Sequence, residues 1–146
     1  MEGKLREVSV RIETAPTAKG RPRFKRMGSF VQTYTPAKTA RYEKMIAEKY
    51  EAALGSYRFE KEQPIVVSLV FGMPIPASKP KSTRVAMADG IIRHTKKPDL
   101  DNLTKAVLDA LNGVAWYDDS QIVRISARKR YSEDPYVYIK VYESVD

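Results

Sequence analysis

The stretch DLDNLTKAVLDALNG, from Asp99 to Gly113, predicts an amphipathic helix that begins beside two carboxylates. Gly113 is a natural helix stop, and Asp101 is well placed as the N-cap, where a carboxylate accepts a hydrogen bond from a free backbone N–H. Apolar side chains recur at three- and four-residue spacing, as expected of one buried helix face: Leu103, Val107, Ala110, Leu111 and Val114. This stretch therefore supplies a packing helix with acidic groups at its start.

Around this helix the sequence has the pattern of strands. Residues 65–73 (IVVSLVFGM) are almost continuous in β-forming residues, which is typical of a central strand covered on both faces. Val8, Val10 and Ile12 alternate with polar residues and predict a first strand. Residues 121–131 and 136–143 also alternate, and their short connection at 132–135 predicts a hairpin.

A second helix is predicted after a short strand at Phe30, Val31 and Tyr34. Thr35 or Thr39 can cap this helix, which runs to about Leu54. Its apolar residues again share one face, and they are Tyr42, Met45, Ile46, Tyr50 and Ala53, with the stem of Lys49. At 146 residues the chain can form one ordinary core. We therefore expect an α/β fold for residues 1–146, a single small domain with a mixed β-sheet and two main helices.

Two segments resemble connectors. Residues 14–29 (TAPTAKGRPRFKRMGS) contain Pro16, Gly20 and Pro22, and they predict a basic loop. Residues 74–98 predict a long polar connector with a short hairpin around Asp89 and Gly90. Irregular connectors of this length inside a small domain are usually functional or mobile.

The charge of the chain indicates a polyanionic partner. Lys and Arg number 26 against 18 Asp and Glu, which gives a formal net charge of +8. Such a field attracts nucleic acid first and anionic lipid second. With no cysteine, disulfide frameworks, Cys-ligated zinc and thiol catalysis are excluded. No apolar run approaches the roughly 20 residues that span a bilayer, and the amino terminus has no apolar signal core. We expect a soluble cytoplasmic protein.

Basic residues in the two connectors are the candidate DNA contacts. Gly20 and Pro22 stiffen the first segment, so that several cations project toward phosphates. The candidates are Lys19, Arg21, Arg23, Lys25 and Arg26 in that segment and Lys96 and Lys97 in the second. The alternative is an ordinary solvated loop. His94 is the single histidine and is expected to be exposed or to contact phosphate rather than to act as a base.

The acidic residues indicate a metal site. Asp99 and Asp101 flank Leu100, so both carboxylates can point the same way and share a cation. Crowded carboxylates repel one another unless a cation neutralises them, and their oxygens select Mg²⁺ or Mn²⁺ over zinc. Such an ion can activate water for attack on a phosphodiester. The alternative is that these residues serve only as helix caps and turns.

Lys105 and three further aspartates extend this acidic region. Lys105 lies one turn after Asp101 and can project toward a phosphate, or it can form an ordinary i,i+4 pair with Asp101 or Asp109. Asp109 is on the same face and can position Lys105. Asp118 and Asp119 follow Trp116, which is expected in the core, and turn chemistry accounts for one of the two. Spacing alone does not bring this second acidic pair to the helix start.

The segment KKPDLDNLTKAVLDALNGVAWYDDSQIV, residues 96–123, closely resembles the central motif of the RusA family of Holliday-junction resolvases. The resemblance is looser at residues 19–23 (KGRPR) and at Tyr34 and Thr35 before the helix. It implies a metal-dependent crossover junction endodeoxyribonuclease of a phage or prophage type. By this resemblance Asp99, Asp101 and Asp119 bind Mg²⁺, with Mn²⁺ as a possible substitute, and Lys105 is the catalytic lysine.

The resemblance also implies partners. It indicates a homodimer that binds a four-way DNA junction, cuts strands symmetrically, and acts in DNA recombination and repair at the bacterial nucleoid. Some family members carry an arginine-rich run just before the first Asp, whereas here the nearest basic residues are Arg93, Lys96 and Lys97. This departure leaves the preferred junction sequence open.

Two other functions are compatible with the residues alone. One is a non-catalytic basic DNA- or RNA-binding protein, in which the aspartates are caps and turns. The other is a metal-dependent nucleotide hydrolase, although the sequence contains no P-loop or Gly-rich nucleotide motif. Metal-dependent cleavage separates the first of these from a nuclease, and a small-molecule pocket would identify the second.

Overall fold

The structure, a computed structural model, describes residues 5–20, 23–34 and 36–145. Arg21, Pro22 and Thr35 lie outside these ranges, and so do the side chains of Arg23 and Tyr34. Within them the elements follow in the order β1 (Glu7–Ile12), β2 (Arg23–Met27), β3 (Phe30–Tyr34), α1 (Ala37–Leu54), β4 (Ile65–Pro74), α2 (Lys81–Ala88), α3 (Leu100–Leu111), β5 (Ile122–Ser132) and β6 (Tyr136–Glu143).

Four strands form a mixed sheet in the order β1-β6-β4-β5. β4 is parallel to β5 and antiparallel to β6, so that Leu69 lies between Ala127 and Ile139. Most residues of β4 are buried, as its continuous apolar sequence predicts. The predicted fold class, α/β with a mixed sheet, is therefore confirmed, with three α-helices instead of two main ones and a separate two-stranded sheet.

The predicted hairpin between the last two strands is wrong. Both strands exist and their connection is short, but β4 lies between them and hydrogen-bonds to each. Alternation in a strand reports which face is buried and does not report which strand is its neighbour. The inner position goes to the most apolar strand, β4, and the basic strand β5 takes the edge, where most of its side chains are exposed.

Both predicted connectors contain regular structure. In the first, Arg23–Met27 pairs with Phe30–Tyr34 as a hairpin, so the basic segment contains a strand and is not a loop throughout. Its turn uses Gly28 at φ 61°, a conformation that glycine adopts without strain. Exposed charges on this small sheet give no apolar alternation, which is why the sequence pattern missed it. In the second, the predicted hairpin at Asp89 and Gly90 is wrong because α2 ends there, with Gly90 at φ 79° after the helix.

Helices α1 and α3 pack against each other and contribute buried side chains to the core. Tyr42, Ile46 and Tyr50 of α1 are buried, as predicted, and α1 stops at Gly55. Thr39 is not a cap: it is buried inside the first turn, and its Oγ1 accepts a hydrogen bond from the Gly20 N–H at 3.0 Å. The first basic segment is thereby tied to α1. No helix in the described part of the chain is long and apolar enough to cross a membrane.

Candidate active site

Helix α3 begins with two carboxylates that do not cap it. Asp99, rather than Asp101, occupies the N-cap position, and its side chain makes no capping hydrogen bond. Asp101 lies in the first turn and is exposed. The predicted N-cap role of Asp101 is therefore wrong, because the helix starts two residues earlier than the pattern indicated. Helix capping does not account for either carboxylate, and both remain free for another function.

The carboxylate of Asp99 pairs with the ammonium of Lys97 at 2.9 Å. This hydrogen bond lowers the pKa of Asp99, outweighing the small opposing effect of burial. The Lys97 side chain is 85% exposed, and surface pairs of this kind are weak and easily exchanged for water. Asp99 is thus held ionised at the start of α3 by a replaceable partner.

Asp118 and Asp119 have different roles in the turn that leads into β5. Asp118 caps a one-turn 3-10 helix at Asp119–Gln121 by accepting hydrogen bonds from the N–H and hydroxyl groups of Ser120. Gln121 closes the turn by accepting from the N–H groups of Tyr117 and Asp118 at 2.8 and 3.1 Å. Turn formation accounts for Asp118 and leaves Asp119 for other chemistry.

A buried tryptophan orients Asp119. Trp116 is fully buried, which confirms its predicted place in the core, and its Nε1–H donates to Asp119 Oδ1 at 2.7 Å. Burial raises the pKa of Asp119, the Trp116 hydrogen bond opposes that rise, and the negative charges of Asp109 and Asp118 add to it. A cation bound beside Asp119 would relieve this excess of negative charge.

An open groove of about 620 Å³ runs between α3 and β5. Its charged lining residues are Asp101, Lys105, Asp109 and Asp119, and a further depression of about 390 Å³ continues past Asp119 toward Val123 and Arg124. The structure thus brings Asp119 to the helix that carries Asp101 and Lys105, which sequence spacing could not establish. Asp99 is not among the groove-lining residues, since its side chain is directed to Lys97.

The donor set of the groove suits a hard divalent cation. Asp101 and Asp119 contribute carboxylate oxygens, the ligand type that Mg²⁺ and Mn²⁺ prefer, and Asp99 is two residues from Asp101. Among the residues that the structure describes, no three Asp, Glu, His or Cys side chains are already gathered as a metal cluster. A complete set would need Asp99 to exchange Lys97 for the ion.

Lys19, a predicted DNA contact, lies in an enclosed position behind the groove. Its Nζ is 2.7 Å from Glu43 Oε1 and 3.1 Å from Asp109 Oδ2, and its side chain is 16% exposed. Burial lowers the pKa of Lys19, but hydrogen bonds and attraction to Glu43 and Asp109 outweigh it, so the net pKa is raised. Lys105, 63% exposed, lies 3.8 Å from the same Asp109 oxygen.

The other predicted DNA contacts differ in what the structure describes. Lys25 and Arg26 are exposed on β2, and Lys96 and Lys97 are exposed just before α3. Arg21 and the side chain of Arg23 lie outside the described residues. Contact of any of these residues with DNA stays a prediction.

Sequence reasoning missed Glu43 and the paired arginines of β5. Glu43, on α1, is ion-paired with Lys19, which also pairs with Asp109 in the groove. Arg93, Arg128 and Arg130 line a separate cavity of about 210 Å³ beside β5. Arg128 and Arg130 are two residues apart in an alternating strand and therefore share a face, a signal that was available in the sequence. His94 lies outside the groove, with its ring 4.9 Å from that of Tyr131.

Comparison with known proteins gives two matches. The family model described as "Endodeoxyribonuclease RusA" matches residues 13–142, a range that contains the whole groove. The chain is 33% identical over 132 residues to the "Uncharacterized protein YqaN" of Bacillus subtilis (strain 168). The aligned region covers 88% of this chain and 90% of that protein.

Proposed function

This chain belongs to the RusA family of endodeoxyribonucleases, and we propose that it resolves four-way (Holliday) DNA junctions by metal-dependent phosphodiester hydrolysis. The single observation that carries the proposal is the groove in which Asp101, Asp119 and Lys105 meet. Carboxylates for a divalent ion beside an exposed ammonium for a phosphate are the groups that such hydrolysis requires. DNA recombination and repair are the processes in which this activity would serve.

We expect Asp101 and Asp119, together with Asp99, to hold Mg²⁺ or, as a substitute, Mn²⁺. A bound divalent ion supplies activation of water and neutralisation of charge on the phosphate. Side chains of the protein would place these reacting groups. Trp116 fixes one oxygen of Asp119, and Lys105 presents an ammonium from the next turn of α3 after Asp101. That ammonium can donate to a non-bridging phosphate oxygen and offset its negative charge.

Basic residues outside the groove can hold the DNA backbone. Lys25 and Arg26 project from the β2–β3 hairpin, and Lys96 and Lys97 precede α3. The cavity lined by Arg93, Arg128 and Arg130 adds a third basic area. Phosphates would be attracted to these areas and away from the carboxylates.

A homodimer completes the proposal. Paired incisions in a four-way junction need two active sites related by a two-fold axis, which two copies of the chain would provide. We therefore expect the active species to be a dimer with one groove in each protomer. Sedimentation of the protein alone and bound to a junction would test this directly.

The decisive experiment for the activity is incubation with a synthetic mobile four-way junction and with a linear duplex of the same sequence, in Mg²⁺ or in EDTA. We expect paired, symmetrical incisions in the junction with Mg²⁺ and none in EDTA, because the carboxylates have no transition-state role without the ion. Equal cutting of the linear duplex would contradict junction resolution. Junction binding without cleavage under any divalent ion would favour the non-catalytic binder.

We predict that the double variant Lys25→Ala with Arg26→Ala binds a junction about tenfold or more weakly at physiological salt. The slope of log Kd against log salt should fall by about two, since each lost phosphate contact removes about one released counterion. Fluorescence anisotropy of a labelled junction over a salt series measures both quantities.

Lys44→Ala is the matched control for that pair, because Lys44 is an exposed lysine on α1, outside the predicted DNA contacts. We expect its affinity and salt slope to equal those of the wild type. If the salt slope of the hairpin variant also equals that of the wild type, the hairpin does not contact phosphate.

A further inference from the structure

Four charged side chains of alternating sign form a chain, Glu43–Lys19–Asp109–Lys105, that leads from α1 into the groove. The Lys19 Nζ lies 2.7 and 3.1 Å from the two Glu43 oxygens and 3.1 Å from Asp109 Oδ2. Lys105 Nζ lies 3.8 Å from that same Asp109 oxygen. One carboxylate oxygen is therefore shared between an inner lysine and the lysine that borders the substrate groove.

The two ends of this charged chain differ in freedom. Glu43 and Lys19 are 17% and 16% exposed, Asp109 is 28% exposed, and Lys105 is 63% exposed. The backbone also holds Lys19 in place, because its N–H donates to the carbonyl of Asn102 on α3 at 3.1 Å. The neighbouring Gly20 is bonded to Thr39 on α1. The inner end is thus fixed between two helices, while the outer ammonium can move.

We infer that Lys19 is a positioning residue: by holding Asp109, it keeps that carboxylate from capturing Lys105 and so leaves the Lys105 ammonium free for the phosphate. This inference rests on the proposed nuclease function for the role of Lys105, but the contacts themselves do not depend on it. Lys19 thereby acquires a role different from the direct DNA contact that its basic segment predicts. Its enclosure and its two acidic partners favour this role over contact with a phosphate.

The physical reason is competition for one oxygen. With Lys19 present, the charge of Asp109 Oδ2 is partly neutralised. The Lys105 ammonium is then held less strongly and lies 3.8 Å from that oxygen. Without Lys19, Asp109 would keep Lys105 as its cation among the described residues, and the pair would tighten. An ammonium drawn back by an ångström or so is misplaced for transition-state contact, and displacements of that size cost on the order of a hundredfold in rate.

We test this with Lys19→Met, Lys19→Arg, Asp109→Asn and the double variant Lys19→Met with Asp109→Asn. Single-turnover cleavage is measured at saturating protein. The temperature is one at which Trp116 fluorescence shows that each variant is fully folded. Lys19→Met should cut about ten- to a hundredfold more slowly, with junction Kd and salt slope unchanged. Lys19→Arg should recover most of the rate because it restores a cation next to Asp109.

The double variant gives the sharpest contrast. Removing the Asp109 charge should release Lys105, so the double variant should cut faster than Lys19→Met alone, a coupling that a double-mutant cycle detects. Lys44→Met, on the exposed face of α1, serves as the lysine control and should match the wild type. A double variant as slow as Lys19→Met, or slower, overturns the inference. A Lys19→Met variant that cleaves at the wild-type single-turnover rate also overturns it. So does one whose junction affinity depends less steeply on salt.

A second measurement does not need cleavage at all. Limited reductive methylation followed by mass spectrometry reports how freely each lysine amine reacts. We expect Lys19 to be modified much more slowly than Lys25 in the wild type. We also expect Lys105 to become less reactive in Lys19→Met and reactive again in the double variant. Greater reactivity of Lys105 in Lys19→Met would mean simple loosening and would overturn the inference. If the wild-type protein cuts no DNA, the nuclease proposal fails while this measurement still decides the contact.

Discussion

Replacing Asp119 by Asn is expected to lower the rate of junction cleavage by about a thousandfold or more, because several kcal/mol of metal-dependent transition-state stabilisation are lost. Asn keeps a side-chain oxygen that can accept the Trp116 N–H, so the fold and the turn should be preserved. Asp101→Asn should have an equally large effect. Junction affinity should change little, since neither carboxylate attracts DNA. Single-turnover cleavage in Mg²⁺ and binding in EDTA measure the two quantities.

Asp134→Asn provides the control for charge removal, since Asp134 is exposed in the turn between β5 and β6 and away from the groove. Its cleavage rate should equal that of the wild type. If Asp101→Asn and Asp119→Asn proteins bind junctions and cut them at the wild-type rate, the catalytic assignment of the groove is wrong. If Asp119→Asn loses most of its activity and Asp101→Asn loses none, Asp101 does not bind the metal ion.

Truncation of Trp116 is expected to have the largest effect on stability. Trp116 is fully buried and among the largest side chains of the core, so Trp116→Ala should cost about 3–5 kcal/mol of unfolding free energy. Trp116→Phe keeps one aromatic ring in that space, and it removes part of the indole together with the N–H that donates to Asp119. We expect a smaller stability loss, of about 1–3 kcal/mol for a hydrogen bond to a charged group, and cleavage about tenfold slower. Urea denaturation and single-turnover cleavage of the two variants separate packing from orientation.

Tyr50→Phe is the matched substitution for Trp116→Phe, because it also removes a polar atom from a buried aromatic ring, on α1 and outside the groove lining. Its cleavage rate should be that of the wild type when folded. A Trp116→Phe protein that cuts at the full rate would show that the hydrogen bond to Asp119 does not orient the carboxylate for catalysis.

The elements that the sequence predicts correctly are those whose own burial pattern is unambiguous. α3 carries a continuous apolar stripe, and β4 is apolar along its length, so each specifies its structure locally. In β2 the side chains of Phe24, Lys25 and Arg26 are all exposed, and a strand without a buried face shows no alternation of apolar and polar residues. The neighbours of β4 depend on contacts between distant segments, which local periodicity does not encode.

The same distinction applies to the candidate site. The Asp99 and Asp101 pair is local, and its place at a helix start follows from the sequence. Asp119 reaches the groove only because a 3-10 turn and the side chain of Trp116 hold it there. One partner of Lys19 is Glu43, 24 positions away on α1, and no spacing rule connects a basic loop residue with it. Charge patterns therefore indicated polyanion binding at Lys19, whereas the tertiary contacts indicate a structural ion pair.

The place of β6 in the sheet has a consequence for biosynthesis. β6 is made after the other described strands, yet it lies between β1 and β4 and hydrogen-bonds to both. β1 therefore has no partner in this sheet until β6 has been translated. Folding that depends on such distant pairing is slow and comes late. A nascent chain stalled before Tyr136 would carry every groove residue and the β4–β5 pair, but β1 and one edge of β4 would still lack β6, so we expect the groove to gain its full support only after β6 has been made.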